Sequence, residues 1–185
     1  MRILIDMDDV MIDFLQHWID VLNGKFNKNV KYNDIYCWSM QVAYPDLTRE
    51  QIFDVLYNEE FWADISPKQG AITYIRRLIQ DGHEIYVVTA SDPLIMKFRQ
   101  VYILNQFFPW IPQENVIMAH NKQMILGDVL VDDNPRNLVN GNYRGLLMTA
   151  PHNQGYPERL SNLIRVNSWE EVYGLIDKIE KGIYR

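Results

Sequence analysis

Short apolar runs that end in acidic or hydroxyl residues recur along the chain. Ile3-Leu4-Ile5 runs into Asp6, Glu84-Ile85-Tyr86-Val87-Val88 into Thr89, and Val129-Leu130-Val131 into Asp132 and Asp133. Runs this short with polar flanks fit buried strands rather than helices. Val116-Ile117-Met118, Gly145-Leu146-Leu147-Met148 and Leu163-Ile164-Arg165-Val166 extend the series. Helical patterns lie between them. Phe14, Leu15, Trp18, Ile19 and Leu22 share one stripe, with Gly24 as the expected stop. Ala71, Ile72, Tyr74, Ile75, Leu78 and Ile79 keep helical spacing up to Asp81-Gly82. Asp92-Pro93 predicts a cap and first turn for a helix running through Phe98, Val101, Tyr102 and Leu104, and Asn134-Pro135 opens a short one. Thr48-Arg49-Glu50-Gln51 and Ser168-Trp169-Glu170-Glu171 read as capping boxes, the second opening a last helix that stops near Gly182.

Strands alternating with helices predict an α/β domain, a parallel sheet with helices on both faces. Ligands in such sheets sit beyond the carboxyl ends of the strands. The residues at those ends are Asp6 and Asp8, Thr89 and Ser91, His120 to Lys122, and Asp132 with Asp133. They are expected to converge on one spot. Residues 26–62 stand apart, holding nine of the 23 aromatic residues. They read as a small subdomain packing on itself, or as a lid whose rings cover a planar ligand; a lid also needs a core.

Composition narrows this picture. The 185 residues are 48% apolar and 23% charged, a globular balance that supports a core without disulfides or a structural metal. The net charge of −6 argues against a nucleic-acid polymer as partner, because backbone binding needs clustered Lys and Arg. A small anionic substrate fits if a metal ion supplies positive charge. The lone Cys37 suits a reducing compartment. Acids at 6, 8 and 9 interrupt any signal-peptide core, and no apolar run approaches the roughly 18–20 residues of a membrane span. A cytoplasmic protein without a membrane partner is therefore expected.

Several carboxylates gathered at one place repel unless a cation binds there. Asp6, Asp8, Asp132 and Asp133, with Asp128 as a further candidate, offer hard oxygen ligands, which favours Mg²⁺ over zinc. A lysine and a threonine hydroxyl beside such an ion make a phosphate cradle. The chain has no G-x-x-x-x-G-K-[ST] loop, no G-x-G-x-x-G after its first strand and no serine nucleophile elbow. Its histidines, at 17, 83, 120 and 152, show no metal-ligand spacing.

These motifs resemble a known family. Asp6-Met7-Asp8-Asp9-Val10 after an N-terminal strand is similar to the first motif of the haloacid dehalogenase (HAD) superfamily of phosphohydrolases. Thr89 is similar to its second motif, Lys122 to its third, and Gly127 to Asp133 to its fourth. Within it, the 5'(3')-deoxyribonucleotidase family is resembled at Asp13-Phe14, at Phe61-Trp62 before Pro67 and Gly70-Ala71, at Lys97, and at Thr149 to Gln154. The resemblance implies a HAD-like Rossmannoid three-layer sandwich. Its core would span 1–13 and 67–185, with a small, mostly helical cap at 14–66. It implies Asp6 as the nucleophile that forms an aspartyl-phosphate, and Asp8 as general acid and base. Thr89, Ser91, Lys97 and Lys122 would hold the phosphate. Asp6, Asp8 (through its backbone carbonyl), Asp132 and Asp133 would hold Mg²⁺. Phe14, Phe61 and Trp62 would enclose the base and deoxyribose of a nucleotide. The chain departs from the pattern at Asp9, where the family has glycine, and at His120-Asn121 before Lys122.

The activity implied is Mg-dependent hydrolysis of deoxynucleoside monophosphates by a protein that is a monomer or a homodimer. The alternatives are another small phosphomonoester, a phosphate on a nucleic-acid end, or a silent nucleotide-binding module.

Overall fold

A computed structural model describes residues 1–157 and 163–183. Strands β1 (Arg2–Ile5), β2 (Glu84–Thr89), β3 (Val116–Met118), β4 (Val129–Asp132), β5 (Arg144–Met148) and β6 (Ile164–Val166) form one sheet in the order β3-β2-β1-β4-β5-β6. Every neighbouring pair is parallel. The order reverses direction between β1 and β4, which are paired from Ile3 opposite Val129 to Ile5 opposite Val131. A crevice opens at such a reversal, beyond the carboxyl ends of the two strands.

Alternating side chains put Ile3, Ile5, Val87, Val129, Val131, Leu146 and Met148 on one face of the sheet. Three long helices bury their apolar stripes there: α1 (Phe14–Phe26), α5 (Ala71–Gln80) and α9 (Trp169–Glu180). Leu4, Val88, Leu130 and Leu147 face the other way. Among the described residues they are covered by loops and the four-residue α8 (Pro135–Leu138). The two outer layers are thus unequal in thickness.

Between β1 and α5 the chain makes α1 and three short helices, α2 (Met40–Ala43), α3 (Arg49–Phe53) and α4 (Glu59–Ala63). Thr48 and Gln51 complete the expected capping box of α3. Ile52, Leu56 and Trp62 from this stretch share one buried cluster with the strand residues Ile3 and Ile5.

Three local expectations are corrected. Helix α1 runs past Gly24 and ends at Asn27, which takes the left-handed conformation at φ 51°; asparagine tolerates that conformation where most residues do not. Ser168 accepts from the Glu171 N–H, but the Glu171 carboxylate accepts from Asn167 instead of closing the box on Ser168. The helix after β2 is not uniform. It starts as α6 (Pro93–Phe98), widens to a π-helical stretch over Arg99–Leu104, and resumes as α7 (Asn105–Phe107).

Candidate active site

The acids converge at the reversal point. Asp6 follows β1, and its backbone N–H donates to the Val131 carbonyl, which locks it beside β4. Asp132 ends β4 and Asp133 follows. Between them lies Lys122, 1% exposed, whose Nζ donates to Asp6 Oδ1 at 2.5 Å and to Asp132 Oδ2 at 2.7 Å. Burial works against the Lys122 ammonium, but the carboxylates of Asp6 and Asp132 outweigh it and hold its pKa above the usual lysine value. Asp132 is fixed further by the Asn134 N–H (2.8 Å) and by the Asn137 side-chain amide.

The carboxylates exceed what one lysine neutralises. Asp133 titrates well above the usual carboxylate range, pushed there by burial and then by Asp132 and Asp6. Asp8 is raised chiefly by burial, against the pull of Arg99. Asp6, Asp132 and Asp133 each offer an oxygen, and these atoms lie within 4.8 Å of one another. A buried, all-oxygen donor set with surplus negative charge is chemically suited to a hard divalent cation.

A cavity of about 200 Å³ opens over these acids. Asp6, Asp8, Asp132, Asp133 and Lys122 make its floor, while Phe14, Trp18, Ile35, Cys37, Trp38 and Met40 make the opposite wall. Trp38 is half exposed, and its ring centroid lies 3.8 Å from that of His152. The His152 Nε2 is 2.9 Å from Asp133 Oδ2, so one imidazole joins the aromatic wall to the acidic floor. Burial lowers the His152 pKa to about 4.

Not every expected residue reaches the cavity. Lys97 is exposed on α6 and is not among the residues that line it, and Ser91 is turned to the Asp92 carbonyl. Phe61 and Trp62 are buried behind it. On the five-residue α4, Phe61 packs edge-on against His17 and Phe14, and the Trp62 indole donates to the Leu56 carbonyl. Both rings pack in the buried cluster, while Trp18 and Trp38 line the cavity. Asp128 lies at the opposite end of β4 and accepts from the Arg2 N–H. Thr89 is buried at the end of β2, with Oγ1 accepting from Arg99 Nη1 at 2.8 Å.

Arg99 itself is absent from the sequence reading. It is 4% exposed, and Nη2 donates to Asp8 Oδ2 at 2.7 Å. Asp9 adopts φ 55° and is buried; it accepts from the Leu15 N–H at 3.1 Å at the start of α1 and also lines the cavity, close to Asp133 and His152. Burial, reinforced by Asp133, raises its pKa to about 8.

A parallel sheet whose reversal point carries an Asp-x-Asp loop, a buried lysine and a second pair of acids defines a phosphohydrolase of the HAD class. Comparison with solved structures agrees on the fold. A HAD family hydrolase from Deinococcus radiodurans R1, solved with phosphate and sodium bound, superposes with a TM-score of 0.71 at 13% identity, over 96% of this chain and 95% of that one. The family model described as "5' nucleotidase, deoxy (Pyrimidine), cytosolic type C protein" matches residues 1–181, and the chain belongs to that family. It is 31% identical over 172 residues to a 5'(3')-deoxyribonucleotidase of Bacillus subtilis, covering 92% of this chain and 95% of that protein. A 5'(3')-deoxyribonucleotidase of Clostridium acetobutylicum is 26% identical over 95% of this chain and 94% of its own length. Among the described residues no helix is long and apolar enough to cross a membrane.

Proposed function

We propose that this protein hydrolyses the phosphate monoester of deoxyribonucleoside monophosphates, with Asp6 as nucleophile. The observation that carries the reading is the cavity itself, in which a buried Lys122–Asp6–Asp132 triad faces Phe14, Trp18 and Trp38. The triad suits a phosphoryl group, and ring faces suit a base.

Asp6 attacks phosphorus, forming an aspartyl-phosphate as the bond to the leaving oxygen breaks. Asp8 gives its proton to that oxygen and then takes one from a water whose oxygen bonds to phosphorus as the Asp6–phosphorus bond breaks, which frees phosphate and restores Asp6. Lys122 contributes a fixed positive charge to the phosphoryl oxygens, and the Thr89 hydroxyl is a further donor. Asp6, Asp132 and Asp133 would hold Mg²⁺, with the Asp8 carbonyl as an added ligand. When bound, such an ion would supply Lewis-acid neutralisation of phosphoryl charge. In this reading residues 14–66 are the cap, from which Phe14, Trp18 and Trp38 reach the cavity.

Steady-state hydrolysis of a panel of deoxynucleotides, ribonucleotides and sugar phosphates in Mg²⁺ tests this. Preference for deoxynucleoside monophosphates is expected; equal rates on all would refute the specific reading.

A further inference from the structure

We propose that Arg99 is a positioning residue that orients the Asp8 carboxyl for proton transfer; this rests on the hydrolytic reading above. A guanidinium that is 4% exposed is costly to bury, and its partners show what it holds. Nη2 donates to Asp8 Oδ2 at 2.7 Å and Nη1 to Thr89 Oγ1 at 2.8 Å. One planar fork, 91 residues along the chain from Asp8, therefore ties the loop after β1 to the end of β2.

The fork is itself held. The Arg99 guanidinium carbon lies 4.9 Å from the Trp62 ring centroid and 5.8 Å from that of Phe14. Trp62 is completely buried and anchored through its indole N–H to Leu56, so the platform beneath the guanidinium does not swing. Arg99 is also the first residue of the π-helical stretch. Widening of this kind places a side chain off the regular 3.6-residue stripe, and it recurs at functional sites.

The chemical consequence lies in the two oxygens of Asp8. Arginine only donates, so Oδ2 is committed as an acceptor. Oδ1 is buried and has no hydrogen-bond partner, on a side chain that lines the cavity. Oδ1 is thus the oxygen left to pass a proton to the leaving group. Trp62 acts through Arg99 and not on the substrate.

The test is leaving-group dependence in Arg99→Gln and Arg99→Lys, measured on a deoxynucleoside monophosphate and on p-nitrophenyl phosphate. The alkoxide leaving group of the first needs a proton; nitrophenolate scarcely does. Arg99→Gln is expected to lower kcat on the nucleotide about 10²–10³-fold, the usual size of an acid–base contribution. It should lower kcat on p-nitrophenyl phosphate less than about tenfold, and leave inhibition by inorganic phosphate within about threefold. Arg99→Lys, which keeps the charge but only one donating nitrogen, should fall between. In an Asp8→Asn background Arg99→Gln should cost no more than about twofold further on the nucleotide.

Equal losses on both substrates together with weaker phosphate inhibition would overturn the proposal in favour of a direct phosphate contact. Wild-type kcat on both would reduce Arg99 to packing. Should Arg99→Gln not fold, the same comparison in Arg99→Lys decides, because intact nucleotide turnover there at lowered melting temperature contradicts the proposal. A wild-type protein that turns over neither substrate would refute the hydrolytic reading itself.

Discussion

The floor and the aromatic wall of the cavity are built on opposite terms. The floor comes from strand ends, where a parallel sheet leaves little freedom. Asp6 follows β1 and Asp132 ends the adjacent β4, and Lys122 is clamped between them by two charged hydrogen bonds. The wall comes from residues 14–40, partly in irregular chain, and its Trp38 remains half exposed. A rigid charged floor and a looser apolar wall suit a division of labour: the floor acts on a phosphoryl group, and the wall selects what carries it.

That division predicts a large effect on turnover from the floor and a smaller effect on binding from the wall. Asp6→Asn removes the nucleophile's charge with little change of shape, and kcat is expected to fall by about 10³-fold or more in steady-state assays. Lys122→Met leaves Asp6 and Asp132 buried without their cation. It should destabilise the fold by about 3–5 kcal/mol, measured by urea unfolding, besides abolishing turnover. Trp38→Ala removes one stacking face, so KM for a nucleotide should rise about tenfold with kcat nearly unchanged. A kcat loss as large as that of Asp6→Asn would erase the distinction between the two regions.

The smallest effect concerns Asp9, between floor and wall. Its pKa is raised in the folded protein from the ordinary carboxylate range to about 8 by burial. A carboxyl so raised stabilises the fold in acid and loses that contribution as pH rises toward 8. Asp9→Asn keeps an acceptor for the Leu15 N–H and tolerates the positive φ. The variant's stability relative to wild type should rise steadily from pH 5 to pH 8 in chelator-treated protein, read by thermal unfolding. An unchanged difference between the two pH values would mean that Asp9 is already compensated.

The floor was legible in the sequence because short apolar runs ending in acids carry both strand and function in one signal. The wall was legible only in part: Phe14 was expected at the substrate and lines the cavity, and Trp38 lies in the aromatic-rich stretch read as a subdomain or lid, but that stretch lacks the periodicity that would single out an exposed ring. At Phe61 and Trp62 the motif suggested a ligand surface, and the rings are buried on the short α4, which the sequence alone did not show. Arg99 escaped for a third reason. Buried charge leaves no hydrophobic trace, and the π-helical widening displaces it from regular spacing, so the exposed Lys97 was the basic residue the pattern offered. The stop at Asn27 instead of Gly24 has the same origin, since only the backbone shows which residue turns left-handed.

The central claim is that Asp6 forms a bond to phosphorus. Rapid acid quench of the enzyme turning over a deoxynucleoside monophosphate, followed by peptide mass spectrometry, tests it most directly. A phosphoryl adduct on the peptide containing Asp6, absent from Asp6→Asn, is the predicted result. Hydrolysis at full rate with no adduct at any quench time, or with the adduct on another residue, would contradict it.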